Sequence, residues 1–139
     1  MGIIEDVRSY YDANTERFER YGQGGGVLHR AVWAPGVASR TEAFRTIDRM
    51  ILRELEALDQ YEAERAHVLD LGCGVGSSLI FLLSHANVRA TGATLSAVQA
   101  ERANQRARGA GVAERARFVA ASYLELPRSL PPAVLAFSI

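Results

Sequence analysis

The sequence predicts an α/β fold, a parallel sheet behind an N-terminal helical cap, and three observations predict it. Up to about residue 60, apolar residues recur at helical spacing; from His67 onward, short apolar runs alternate with helical segments; and the first run ends in Gly72-Cys73-Gly74-Val75-Gly76, a glycine turn between a strand and a helix. Strands joined through helices of this length make right-handed crossovers, so the sheet is expected to be parallel and covered on both faces. The organisation this implies is a cap over residues 1–60 and a partial sheet domain over 61–139, with four strands.

The first helix should run from Ile3 to about Tyr21, with Ile4, Val7, Tyr11 and Phe18 near helical spacing and Arg8, Glu16, Arg17 and Arg20 on the other side. Gly22-Gln23-Gly24-Gly25-Gly26 ends it and reads as a mobile loop, since consecutive glycines lose the most backbone entropy on ordering. A second amphipathic helix is expected from about Thr41 to Leu58, with Phe44, Ile47, Ile51, Leu55 and Leu58 on one face and a Ser39/Glu42 capping box at its start. The period then changes. Val68 to Leu71 is a strand, Ser77 to Ser84 a buried helix, Val88 to Ala93 a strand, Ser96 to Arg108 a helix, Arg117 to Ala121 a third strand and Ala133 to Ser138 a fourth.

Composition excludes several functions. The 139 residues carry 16 basic and 16 acidic side chains, which leaves no excess of charge for a nucleic-acid clamp. Every basic residue is arginine, so phosphate-loop, Schiff-base and kinase lysine chemistry has no lysine to use. A single cysteine, Cys73, permits neither an internal disulfide nor a two-cysteine redox motif, and reads first as a small packing residue. The three histidines, His29, His67 and His85, lack ligand spacing, so no metal is expected. No apolar run approaches membrane-spanning length and the N-terminus has no leader-like stretch, which makes a cytoplasmic protein without membrane partner the expectation.

The glycine turn carries the chemistry. Glycines there let the backbone approach a ligand closely, while the helix that follows offers free N–H groups. The glycines fall at alternate positions and Asp70 precedes the first by two, unlike the G-x-G-x-x-G dinucleotide fingerprint. From Val68 to Gly76 the segment resembles the first motif of the class I S-adenosylmethionine-dependent methyltransferases, apolar-Leu-Asp-x-Gly-x-Gly-x-Gly. The resemblance implies a Rossmann-like domain with S-adenosylmethionine as cofactor, Gly72, Cys73, Gly74 and Gly76 running beneath it and Asp70 beside its methionine end. The residues also fit a plain tight turn with an acid nearby.

Further segments extend the likeness. Gly92-Ala93-Thr94-Leu95-Ser96 with Gln99 resembles the second-strand segment of the subgroup holding cyclopropane-fatty-acid synthases and tocopherol and sterol methyltransferases, which implies polar cofactor contacts from Thr94, Leu95 and Gln99. Many class I enzymes have an acid at this strand end, and this chain has Thr94. Ser96-x-x-Gln99 is equally a capping box, and the two roles are compatible. Ala121-Ser122-Tyr123-Leu124-Glu125-Leu126-Pro127 resembles the family's Ala-Asp-Tyr-x-x-Leu-Pro; Ser122 stands where an acid receives the adenine amino group, and a hydroxyl accepts that bond more weakly. Tyr123 fits either the purine edge or a half-buried loop position. Tyr10-Tyr11-Asp12 resembles the element ahead of the core in small-molecule enzymes of this subgroup, which puts Tyr11 and Trp33 at the substrate lid. His29 is the candidate general base, and both His29 and Trp33 are equally readable as packing residues.

The resemblance implies methyl transfer to a small-molecule oxygen, nitrogen or carbon acceptor with no universal acid or base expected, because the sulfonium is already activated and the protein mainly aligns the partners. The family continues through three more strands beyond its fourth. A chain closing at Ile139 leaves that strand as a bare edge, so a missing C-terminal half or self-association is expected there, and with it a cofactor-binding fragment as the alternative to an active enzyme. An NAD-binding domain is the third reading.

Overall fold

The computed structural model describes residues 2–21, 31–58 and 66–139. Its elements are α1 (Ile3–Tyr21), α2 (Arg40–Ala57), β1 (His67–Leu71), α3 (Ser77–His85), β2 (Arg89–Thr94), α4 (Ala97–Gly109), β3 (Ala116–Ala120), a single 3₁₀ turn (Tyr123–Glu125) and β4 (Leu135–Phe137). All four strands are parallel in the order β3-β2-β1-β4. The Gly22–Gly26 loop and His29 lie outside the described residues.

The register explains which face is buried. Val68 pairs with Ala90 and Ala90 with Ala116, while Asp70 pairs with Gly92 and Gly92 with Phe118, so these residues point to one side. Leu79, Leu82 and Leu83 of α3 and Ala103 and Ala107 of α4 pack there with Val68, Ala90 and Phe118 as the core. Both β1-α3-β2 and β2-α4-β3 step in the same direction across the sheet, so right-handed crossovers put both helices on that one face. The expected cover on both faces is therefore corrected: among the described residues, helices cover one face only. The return from β3 to β4, which a right-handed crossover would send over the other face, holds only the 3₁₀ turn and extended chain. On that face Leu69, Leu71 and Val119 are only half-buried, while His67, Thr91 and Ala93 are buried.

The helices follow their local signals. At α2, Ser39 Oγ accepts from Glu42 N at 3.2 Å and the Glu42 carboxylate accepts from Ser39 N at 3.0 Å, the reciprocal box expected from sequence. Its buried face is corrected in two places: Leu58 is exposed, and Asp48 is fully buried between Phe44 and Leu55. Helix α1 has the expected span but buries only Thr15, leaving Ile4, Val7 and Tyr11 exposed to 48%, 37% and 39%. It is held by polar contacts instead: Glu19 pairs with Arg102 and reaches Arg106, and Asp12 reaches the start of α4. The fourth strand is shorter than expected, Leu135–Phe137 in place of Ala133–Ser138, although Val134 N already donates to His67 O at 2.9 Å. No helix among the described residues is long and apolar enough to cross a membrane.

Candidate functional site at the carboxyl edge of the sheet

In a parallel sheet every strand points its carboxyl end the same way, and a ligand crevice forms where the connections diverge to opposite sides. Here β1 is that divergence: the chain proceeds from it toward β2 and β3 and later returns to β4 on its other side. The segments singled out from sequence follow the ends of successive strands, the glycine turn after β1, Thr94 and Leu95 at β2 and Ser122 after β3. Ser138, after β4, joins them; a Cβ built on Gly72 would lie 3.9 Å from its hydroxyl. Sequence reasoning had no signal for Ser138, which is brought to the turn only by strand order.

The turn is fastened to the neighbouring strand. Gly72 N and Cys73 N both donate to Ala93 O, at 2.8 and 2.9 Å, and Gly76 N donates to Cys73 O at 2.9 Å. Gly72, Gly74 and Gly76 all have positive φ, +94°, +53° and +77°, and Gly76 is also the N-cap of α3. A side chain at Gly76 would place its Cβ 2.6 Å from the Phe118 ring, so the turn passes too close to the core for anything larger. Cys73 is half-buried, with Sγ donating to Gly74 O at 3.6 Å, and burial pushes its thiol up, which disfavours the thiolate.

Asp70 is 4% exposed. Burial, and secondarily the Asp48 carboxylate, raise its pKa to about 7. Asp48 is the residue sequence reasoning missed. Its only signal was an acid set within the apolar face of α2, with Arg45 three residues before it. In the fold the Arg45 guanidinium donates to Asp48 Oδ2 at 2.5 Å and to Ser77 Oγ at 3.3 Å, which ties α2 to the first residue of α3.

At β2, the expected capping box of α4 is half made. Ser96 Oγ accepts from Gln99 N at 3.1 Å, but the Gln99 amide does not fold back to Ser96 N. Thr94 Oγ1 donates to Gln99 Oε1 at 2.7 Å and accepts from Ser96 N at 3.4 Å. Gln99 Nε2 is buried without a hydrogen-bond partner, an orphan donor at this strand end. Ser96 Oγ donates in turn to Asp12 Oδ1 at 2.5 Å, which brings α1 and its neighbouring Tyr11 to the same edge.

The remaining candidates are less enclosed. Ser122 is half-buried and accepts from Leu124 N at 3.2 Å, and Tyr123 is 56% exposed, more open than the half-buried position considered for it. Val32 is tied to α2 through Ala43 O and Thr46 Oγ1, but Trp33 beside it is 62% exposed. A separate cavity of about 490 Å³ lies between α2, α3 and α4, walled by Arg45, Ser77, Phe81, His85 and Arg106, and none of the predicted site residues lines it.

Comparison with known proteins follows the same geometry. Residues 68–138, just over half of the chain, match the family described as "Methyltransferase domain". Over 130 residues the chain is 32% identical to the probable chloroplastic tocopherol O-methyltransferase of Oryza sativa subsp. japonica, covering 91% of this chain and 35% of that protein. It is 35% identical over 125 residues to the 27-O-demethylrifamycin SV methyltransferase of Amycolatopsis mediterranei (strain S699), covering 88% and 42%. Among solved structures, the [4+2]-cyclase SpnF superposes with a TM-score of 0.76 at 27% identity, over 91% of this chain and 45% of that one. A geranyl diphosphate methyltransferase bound to geranyl diphosphate and sinefungin gives 0.74 at 20% identity over 97% and 54%, a likeness of fold. The chain thus spans well under half the length of these curated relatives and about half of these structures.

Proposed function

Because the chain belongs to the methyltransferase-domain family, we propose that it binds S-adenosylmethionine across the carboxyl edge of its sheet and serves methyl transfer to a small organic acceptor. The observation that carries this is the glycine turn, fastened to Ala93 O and preceded by the buried acid Asp70. The residues present fit the cofactor. Asp70 answers an ammonium group, the left-handed glycines allow main-chain approach, and the orphaned Gln99 amide is a donor awaiting an acceptor. Thr94, Leu95, Ser122 and Tyr123 would line the nucleoside part, and the cap over 1–60, with Tyr11 and Trp33, would face the acceptor.

When bound, the sulfonium supplies an already activated methyl group. The chain's own residues then bind and orient. Asp70 fixes the amino-acid end, the turn sets its depth, and α1, latched to Ser96 by Asp12, restricts water at the edge. A general base is required only for an acceptor that holds its proton, and His29 is the candidate for that role. The relatives named for tocopherol and 27-O-demethylrifamycin support a small-molecule acceptor.

A second reading, cofactor binding without methyl transfer, is favoured by the likeness to SpnF, a cyclase on the same fold. Calorimetry with S-adenosylmethionine, S-adenosylhomocysteine and NAD tests the primary reading. The two sulfur ligands should bind, and Asp70→Asn should weaken them by about 1.5–3 kcal/mol for a lost charge-assisted hydrogen bond. Binding of NAD alone would overturn the proposal. Methyl incorporation into extracted small molecules separates transfer from binding.

A further inference from the structure

Helix α3 presents two faces. Leu79, Leu82 and Leu83 pack into the core against the sheet, while positions 77, 80, 81, 84 and 85, a second stripe at helical spacing, line the cavity of about 490 Å³ between α2, α3 and α4. Arg45 of α2 and Arg106 of α4 line it from the two flanking helices, and among the described residues no carboxylate does. The Arg45 guanidinium lies 5.1 Å from the centre of the Phe81 ring, and that ring lies 4.2 Å from the His85 ring with the planes 33° apart. Its bonds to Asp48 Oδ2, Ser77 O and Ser77 Oγ engage at most three of its five N–H donors, so at least two remain. Ser77 is buried and accepts from Arg45 through Oγ, which keeps its hydroxyl hydrogen to give. His85 Nδ1 donates to Phe81 O at 2.8 Å, leaving Nε2 for another partner. Arg106 is steadied by Glu19 of α1 at 4.0 Å. At one wall a Cβ built on Gly109 meets nothing within 4 Å, so the cavity is open there.

We propose that this cavity is a second binding site, for a small organic phosphate whose phosphoryl oxygens meet Arg45 and Arg106 and whose apolar part lies on Ile80 and Phe81. Two guanidiniums already ordered by their neighbours in one concavity, with a hydroxyl and an imidazole nitrogen beside them, suit an oxyanion, because little side-chain freedom is left to lose on binding. A phosphate monoester has close to two negative charges and three acceptor oxygens, enough to engage both arginines at once, where a carboxylate has one charge and two oxygens. Five donors let a guanidinium serve an acid and a phosphate together, so neither arginine has to give up its present partner. The site is independent of the cofactor reading, since none of the residues assigned to the cofactor lines it.

Calorimetry with phenyl phosphate at low ionic strength tests it, on the chain alone and with S-adenosylhomocysteine in excess. Phenyl phosphate should bind once per chain under both conditions, inorganic phosphate about tenfold more weakly for want of the buried ring, and phenol without measurable heat. Arg106→Gln should weaken phenyl phosphate about tenfold, as one lost charge-assisted hydrogen bond does. Gly109→Leu, which extends a side chain from the open wall and leaves both arginines in place, should abolish binding while the melting temperature stays close to that of the unaltered chain. If Arg106→Gln fails to fold, Gly109→Leu decides alone. Absence of phenyl phosphate binding, phenol binding as tightly, more than one phosphate per chain, or unchanged affinity in folded Gly109→Leu would overturn the proposal. Displacement of phenyl phosphate by S-adenosylhomocysteine would overturn it too, since the anion would then occupy the carboxyl edge.

Discussion

Asp12 and Ser96 are 84 residues apart in sequence and 2.5 Å apart in the fold, carboxylate oxygen to hydroxyl oxygen. The contact joins α1 to the N-cap of α4, and Val98 N adds a longer bond to the same carboxylate oxygen at 3.4 Å. Since α1 buries only Thr15, this bond and the Glu19 pairs to Arg102 and Arg106 are its main described attachments to the sheet domain. Asp12→Ala is expected to cost about 1–2 kcal/mol, the range for a hydrogen bond to a charged group and loss of favourable charge at a helix start. Hydrogen exchange should show α1 opening while α3 and α4 stay protected. Uniform loss of protection would show that α1 belongs to the core instead.

Gly92 fills the space between the turn and β3. A Cβ there would lie 2.7 Å from the Phe118 ring and 2.8 Å from Cys73 Sγ, so either the ring or the turn must move. Gly92→Ala should therefore destabilise the chain by about 1–3 kcal/mol, the usual cost of overpacking. Gly109, in α4, has open space around its Cβ position, and Gly109→Ala should be neutral or stabilising by about 0.5–1 kcal/mol. Urea denaturation of the two variants checks the contrast.

Much of this architecture was legible because periodicity and punctuation agree. Ser39 and Glu42 announce α2, and Gly72 to Gly76 announce the end of β1, since both signals depend only on nearby residues. What escaped depends on which side chains turn inward and which partner each takes once the elements pack, even where that partner is near in sequence. An acid such as Asp48 normally marks a solvated helix face, and nothing local shows that Arg45 will carry its neutralising charge inward. Gln99 reads as a reciprocal cap until Thr94, five residues earlier, takes its carbonyl oxygen. The one-sided cover follows from strand order and from the helix-free return after β3, which local pattern does not reveal.

His67 gives a pH-dependent term of known sign. Its Nε2 lies 2.9 Å from Thr91 Oγ1 and its Nδ1 3.2 Å from Pro131 O, and burial lowers its pKa below the ordinary 6.5, with the Pro131 carbonyl partly opposing. Below pH 6.5 the unfolded chain takes up this proton before the folded chain does, so stability from His67 is present above that value and is lost as pH falls below it. Asp70 acts oppositely: its folded pKa is raised, so acidification from about pH 7 favours the folded state. Comparing the unaltered chain with His67→Gln removes the Asp70 contribution, which is common to both. The variant should lose less melting temperature than the unaltered chain between pH 7 and pH 5.5. An identical loss would show that His67 does not titrate differently on folding.

Arg115 closes the end of α3. Its guanidinium donates to Leu83 O at 2.6 Å, Ala86 O at 2.8 Å and Val88 O at 3.2 Å, satisfying carbonyls that the terminating helix and the chain leading into β2 leave unpaired. The positive charge also sits at the negative end of the helix dipole. Arg115→Ala should cost about 2–3 kcal/mol, because it strips a charged donor from several partly buried acceptors at once. Arg115→Lys should recover only a minor part of that loss, since an ammonium is a point donor and cannot span three carbonyls as the planar fork does. Urea midpoints with unchanged slopes measure both variants. Full recovery by lysine would mean that charge at the helix end, and not the spread of the guanidinium, secures this corner.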